Sequence, residues 1–434
     1  MIARELQDPV TPLDLYLSLR SRRGAFLLES RGPGGRYTFV GAEPDRVVRC
    51  RDGIIDEGGF LVRSEDPLAV LREIASGLPE TEGRRFCGGF VGYFAYDLVR
   101  AFERVPRSHP PTPFPDFELG LFLDWVEFDH GTGRKSYHSV RDGRPLEGRA
   151  VAASPATFGP PNEDMNREGF EAAVHTVKRE IYDGEAFQVV LSRSESMPFS
   201  GDLAGFYARL AALNPSPYMY FMEFEDRAVV GSSPEMLVRV EGREISTFPI
   251  AGTRPIGRDA GETRRLGEEM LADEKERAEH NMLVDLARND VGRVARFGSV
   301  RVPEHLTVEE FSHVQHLVSR VTGEVREGLD ALDVFASLFP AGTVSGAPKL
   351  RAMEIIDRLE ASSRGPYAGA VGYLSLNGDL DTAIAIRTLF ASGGIATLRA
   401  GAGIVADSVP AREWEETEHK LAALKAALQA EGAA

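Results

Sequence analysis

The chain reads as an α+β protein with large antiparallel sheets flanked by helices. Three observations predict this. Short strand-like runs broken by Gly, Pro and Asp turns fill the chain up to about residue 141. Beyond residue 167, strands and helices follow one another without the regular alternation of a doubly wound parallel sheet. The 434 residues, 43% hydrophobic and 27% charged, can build a sizeable core in two domains or one large one.

In the N-terminal part the strand runs are 25–30 (AFLLES), 37–41, 88–93 and 119–128, while 67–78 (PLAVLREIASGL) carries helical spacing. Residues 142–166, rich in Pro, Gly and small residues, read as a surface connection between an N-terminal lobe, 1–141, and a second domain, 167–430. The second domain opens on helical periodicity over 167–182. Strands are expected at 187–192, 218–224, 228–232, 236–240, 369–376 and 395–399. A long helix is expected over 263–288, another over 329–339, and a last one from about Ala411.

A formal net charge of -16 sets the bulk of the surface against nucleic acid and anionic membranes, so neither is an expected partner. A small anionic substrate stays open, because a metal ion or buried arginines reverse the local field. Cys50 and Cys87 form no C-x-x-C or disulfide-style array, which indicates a reducing compartment. The N-terminal residues do not read as a signal peptide, and no apolar run has the length of a membrane span. A cytoplasmic protein is expected.

Two segments pair carboxylates at i and i+3. In DEKERAEHNMLVDLARND, Glu276 and Glu279 share a helix face with Leu283 and Leu286, an odd direction for a solvated face. In AREWEETEHK, Glu413 and Glu416 do the same, with Lys420 and Leu424 continuing the face. Two such pairs brought together make an oxygen-rich site suited to Mg²⁺. The spacing alone leaves an ordinary charged helix surface as the alternative.

FPAGTVSGAPK, 339–349, lies between helical runs, and its small residues let backbone approach a ligand; it lacks the P-loop spacing. AGAGIV, 400–405, reads as a second such loop or as a tight turn between strand and helix. Arg387, in TAIAIRTLF, requires a carboxylate partner, which a ligand or a structural salt bridge supplies equally well. His313 and His316 stand in an H-x-x-H that is weak as a metal signature, and none of the nine histidines forms H-E-x-x-H.

GGFVGYFAYD, FQVVLSR, GSSPEML, PIAGTRPIG, ERAEHNMLVDLARND, HVQHLVS, GTVSGAPK, IAIRT, AGAGIV and EWEETEHK occur in this order between Gly88 and Lys420. Together they resemble the chorismate-utilising enzymes, the family of anthranilate, aminodeoxychorismate, isochorismate and salicylate synthases. The resemblance implies that family's fold, with the sheets packed as a sandwich, and it assigns roles position by position. Glu276, Glu279, Glu413 and Glu416 would hold Mg²⁺ against the ring carboxylate of chorismate. Arg387 and Tyr367 would fix the enolpyruvyl carboxylate, assisted by backbone at Gly401 and Gly403, with Lys420 beside them and Thr343 lining the site. Glu235 resembles the acid that protonates the departing 4-hydroxyl, and His316 the histidine needed when pyruvate is eliminated.

Two positions choose among the members. Those that add water at C2 carry a lysine base where this chain has Gln188, and an amide is no general base at neutral pH, whereas ammonia is already nucleophilic. Aminodeoxychorismate synthases that use a covalent route carry a lysine where this chain has Ala251. Ammonia should therefore attack C2 and give anthranilate, the first step of tryptophan biosynthesis. A 4-amino product is the alternative, and a non-catalytic chorismate- or tryptophan-binding regulator is a remote one. LLES and NPSPYMYF resemble the segments of a tryptophan feedback site, in which Glu29 or Ser30 would meet the amino group and Pro217, Tyr218 and Met219 would border the indole. Neither cysteine resembles a glutaminase nucleophile, so a separate glutamine amidotransferase subunit is the expected ammonia source.

Overall fold

The computed structural model describes residues 2–7, 10–20, 23–31, 35–79, 81–83, 85–141, 143, 154–311 and 314–429. Two antiparallel sheets of thirteen and twelve strands form its body. Both are built from distant parts of the sequence. In the first, Ala25–Glu29 pairs with Tyr218–Phe224, placing Glu29 opposite Met219. In the second, Gly89–Phe94 pairs with Ala370–Ser375, placing Phe94 opposite Ala370. Strands from residues before 141 thus lie at one end of each sheet and strands from beyond 167 at the other, with unbroken hydrogen bonding between them.

The inner faces of the sheets bury one common core. Phe26, Phe39, Tyr220 and Phe390 from the first sheet meet Phe90, Phe117, Val238 and Leu380 from the second. Burial of each large apolar side chain is worth about 1.5–3 kcal/mol, which makes this packing the main force that keeps the sheets face to face. Helices cover the outside. Ala204–Leu213 and Pro410–Leu428 lay Phe206, Leu210, Leu421 and Leu424 on the outer face of the first sheet. Arg167–Tyr182 and Lys349–Leu359 add Phe170, Val174 and Ile355 around Val189, Leu191 and Ala402. This is the expected α+β sandwich. Among the described residues no helix is long and apolar enough to cross a membrane.

Three local readings change. The helix expected over 263–288 is two helices, Ala260–Ala272 and Glu274–Val294. They break at Asp273, whose extended backbone and side-chain acceptance from the amides of Lys275 and Glu276 start the second helix. The strand expected over 119–128 is two, Phe117–Phe122 and Asp124–Asp129. AGAGIV is not a loop. Gly401 and Gly403 lie inside the strand Ile395–Ile404, opposite Ser192 and Val190 of the strand Gln188–Ser200.

Candidate active site

The strand Gln188–Ser200 begins at Gln188, which also pairs with Ala347 of the glycine-rich segment. The Gln188 side chain is buried, and its Oε1 has no hydrogen-bond partner in the protein. Its Nε2 lies 2.5 Å from where a β-carbon at Gly403 would stand, so only glycine leaves this amide room. At Gly401 an added β-carbon would come within 3.0 Å of the Tyr367 hydroxyl. Lys420, on the C-terminal helix, donates to the Gly401 carbonyl at 2.8 Å and pairs with Glu416 at 2.7 Å.

Glu235 sits between the strands Arg227–Ser233 and Met236–Glu241 and lines a cavity of about 40 Å³ with Leu283, Leu286 and Thr343. Burial pushes its carboxyl up to about 7, even though the charges of Lys420 and Arg387 oppose the shift. An acid with this pKa holds a proton near neutrality and can give it away. Arg387, at φ 52°, follows the strand Leu380–Ile384, and its carbonyl accepts the Ser232 N–H at 3.1 Å. Burial lowers its pKa, while Tyr367, Glu416 and Glu235 act in the other direction. Among the described residues no ion pair engages its guanidinium. A structural salt bridge, one of the two options the sequence left open, is therefore not what holds it.

His316 stands on the strand Val314–Glu324 against Phe311, with ring centroids 5.2 Å apart. Its Nδ1 lies 2.7 Å from the Gly252 carbonyl, so that nitrogen carries the hydrogen and Nε2 keeps its lone pair. Burial first, and then the charge of Arg387, hold its pKa below the usual histidine value. A neutral imidazole with a free Nε2 is able to take up a proton. Ala251 lies on the adjacent strand, opposite Leu317. His313 falls outside the described residues.

The two glutamate pairs stand on separate helices, near enough for the charge of Glu416 to act on Glu279. Glu279 is raised above its usual value by burial and then by the charges of Glu276 and Glu416. Glu413 is raised by burial, and Glu416 adds to the effect. Leu283 on the same helix is buried, so the face shared by leucine and glutamate turns inward, as the spacing implied. Glu276 is engaged by Arg254 at 2.9 Å, a partner that sequence reasoning missed because PIAGTRPIG gives no sign of which strand residue faces the helix. An all-oxygen donor set in which neighbouring carboxylates help to raise Glu279 and Glu413 fits a hard divalent cation. The four side chains are not drawn in to a shared ligand distance. Among the described residues, the group close enough to hold an ion is Glu163, Glu195 and Glu418, and it is already neutralised by Arg193 and Lys425.

The two segments likened to a feedback site are neighbours. Glu29 faces Met219 across the ladder, and the Arg31 amide donates to the Ser216 carbonyl at 3.1 Å. The buried Glu29 carboxylate accepts from the Tyr207 hydroxyl and, at 3.1 Å, from Arg31. Ser30 donates its N–H to the Tyr37 carbonyl at 3.2 Å, and the Tyr218 hydroxyl donates to Asp381 at 2.9 Å, next to Pro217. Cys50 and Cys87 are both buried thiols. Burial pushes their thiols up to about 12 and about 11, far from the reactive thiolate of a nucleophile.

A family profile described as chorismate binding enzyme matches residues 23–426. Anthranilate synthase component 1 of Methanothermobacter thermautotrophicus is 46% identical over 99% of this chain and 96% of its own length. The component 1 of Thermus thermophilus is 45% identical over 98% of this chain and 96% of its own. The crystal structure of anthranilate synthase component I from Streptococcus pneumoniae superposes with a TM-score of 0.80 at 35% identity, covering 91% of this chain and 92% of that one. A menaquinone-specific isochorismate synthase from Escherichia coli shares the fold, with a TM-score of 0.76 at 23% identity over 99% of this chain and 94% of that one. With the residues of ten ordered motifs gathered on one set of strands and helices, the chain belongs to the chorismate binding enzyme family.

Proposed function

We propose that the chain is the component 1 of an anthranilate synthase, a lyase that converts chorismate and ammonia to anthranilate and pyruvate. The observation that carries this reading is the Glu235 carboxyl, poised at about 7 beside the cationic Arg387. The substrate needs both: an acid at its departing hydroxyl and a cation at its carboxylate.

Arg387, with Tyr367 and the backbone at Gly401 and Gly403, binds the enolpyruvyl carboxylate. Lys420 ties the Gly401 strand to the glutamate helix, and Thr343 lines the site beside Glu235. The ammonia lone pair forms a bond to C2, both ring double bonds shift by one position, the C4–O bond breaks, and the ammonium so formed releases its extra proton to solvent. Glu235 gives its proton to the leaving hydroxyl, which departs as water. Gln188, an amide with an open Oε1, orients the nucleophile without deprotonating it. His316 Nε2 then takes the C2 proton, the C3–O bond breaks toward the enolpyruvyl oxygen, and the ring becomes aromatic as enolpyruvate leaves and takes a proton at its methylene carbon to become pyruvate. Glu276, Glu279, Glu413 and Glu416 would hold Mg²⁺, which when bound supplies countercharge to the ring carboxylate.

The N-terminal lobe, 1–141, serves regulation in this reading, with connecting segment 142–166 and catalytic domain 167–430. Tryptophan binds between Glu29–Ser30 and Pro217–Met219 and favours a state of lower activity, since a ligand indifferent to both states shifts nothing. Ammonia comes from glutamine through a separate glutamine amidotransferase subunit, in keeping with two cysteines whose thiols stay protonated. The enzyme works in the cytoplasm. The test is to incubate the chain with chorismate, Mg²⁺ and an ammonium salt and to identify the product. Fluorescent anthranilate supports the reading. A 4-amino product shifts it to aminodeoxychorismate synthesis, and isochorismate overturns the role of Gln188. Glutamine should not replace ammonium for the isolated chain.

A further inference from the structure

Behind the residues that face the substrate lies a charge cluster shut off from solvent. Glu360, Arg364 and Arg399 expose only 4%, 5% and 3% of their surfaces. Glu360 pairs with Arg364 at 2.6 Å and with Arg399 at 2.8 Å. Burying three charges carries a desolvation cost of several kcal/mol per ion, and apolar side chains would fill the same volume without it. Stability alone does not account for such a cluster, so its hydrogen bonds matter.

Those bonds go to the segments that carry the site. Arg364 Nη1 donates to the Val344 carbonyl at 2.7 Å, and Val344 directly follows Thr343. Arg364 Nη2 donates to the Val190 carbonyl at 2.8 Å, two residues along the strand from Gln188. Glu360 Oε1 accepts both the amide and the hydroxyl of Ser192 at 2.8 Å. Arg399 Nε donates to the same Ser192 hydroxyl at 2.8 Å, and Ser192 stands opposite Gly401. The Arg364 and Arg399 guanidinium carbons lie 5.7 and 5.9 Å from the centre of the Tyr367 ring.

We propose that the Glu360–Arg364–Arg399 cluster is the positioning element of the chorismate site, clamping the Thr343 segment to the Gln188 strand and orienting Tyr367. The three arms of the clamp require the planar fork of arginine, because a lysine ammonium on a flexible stem cannot hold two carbonyls and a carboxylate in one plane. The inference rests on the reading of Gln188, Thr343, Tyr367 and Arg387 as substrate contacts.

The test compares Arg364→Lys, Ser192→Ala and Arg387→Gln in the full chain with chorismate, Mg²⁺ and ammonium, below each variant's melting temperature and with folding checked by circular dichroism. A cluster that only stabilises the fold changes the amount of active protein, and so the apparent kcat, while KM stays put. A positioning cluster raises the chorismate KM, by about tenfold or more for Arg364→Lys and about threefold for Ser192→Ala, since displacements near 1 Å can cost up to about 100-fold. If Arg364→Lys does not fold, Ser192→Ala decides. KM within twofold of the parent in the folded cluster variants overturns the proposal. If Arg387→Gln raises KM while they do not, the positioning role fails and the site stands. If Arg387→Gln leaves KM unchanged, the site reading falls and the proposal falls with it.

Discussion

The Gln188 amide is packed so closely on Gly403 that a single methyl at that position would meet its Nε2 at 2.5 Å. Both residues belong to paired strands with Val190 opposite Gly403, so neither backbone can retreat without breaking the ladder. Gly403→Ala should therefore displace the amide while the protein stays folded. A loss of roughly tenfold or more in kcat/KM for ammonium is expected, in line with the cost of misplacing a reacting group. Steady-state kinetics with ammonium as the varied substrate measure it, and unchanged kinetics would remove Gln188 from the nucleophile's path.

The raised Glu235 carboxyl sets a pH limb of definite sign. The acid form does the work, and the fraction protonated falls as pH rises through about 7. At a constant concentration of free ammonia, kcat should decline on the alkaline side of that value. Glu235→Gln should lose the limb and about 100- to 10,000-fold of the rate. A pH profile for the parent that stays flat from 6 to 9, roughly two units on the alkaline side, contradicts the role.

Like-charge crowding predicts opposite effects of Glu279→Gln on the metal and on stability. Glu279 is raised by burial and by Glu276 and Glu416, so its ionised form is disfavoured without a cation. The substitution should weaken apparent Mg²⁺ affinity by about 10- to 100-fold, a range known for residues that support a metal. It should not lower the melting temperature of metal-free protein, because it relieves repulsion. Chelation should abolish turnover in the parent and added Mg²⁺ should restore it. Full activity after exhaustive chelation would exclude the assignment.

Tryptophan should stabilise the protein by mass action, by about 2.7 kcal/mol at 100 times its dissociation constant. Ser30→Ala should weaken that binding by about fivefold, the worth of one hydrogen bond of about 1 kcal/mol. Calorimetry of tryptophan binding checks the affinity, and inhibition curves check its coupling to chorismate turnover. A parent protein with no thermal shift at millimolar tryptophan would refute the feedback site.

The sequence carried most of the elements because their periodicity is local. The helix Arg167–Tyr182 and the strand Tyr218–Phe224 fall where spacing placed them. The break at Asp273 was hidden, since aspartate three residues before a glutamate fits a helix interior pattern as well as an N-cap. Gly401 and Gly403 looked like a loop because glycine weakens strand propensity, and only the opposing side chains explain its presence. Arg364 was invisible for a different reason. In SSRGPY it resembles a polar turn, and its partners Val190 and Val344 are 174 and 20 residues away. Long-range hydrogen bonds of that kind leave no periodic trace.

The shared sheets also bear on how the chain is made. The hydrogen-bonded pair of Glu29 and Tyr207 is separated by 178 residues, and the strand Ala25–Glu29 pairs with one that lies still further on. At about 5–20 residues per second of synthesis, the strand Ala25–Glu29 waits roughly 10–40 s for this later neighbour. During that interval the open edges of both sheets stand exposed on the ribosome, so the nascent N-terminal third is the stage at which this chain most needs a chaperone.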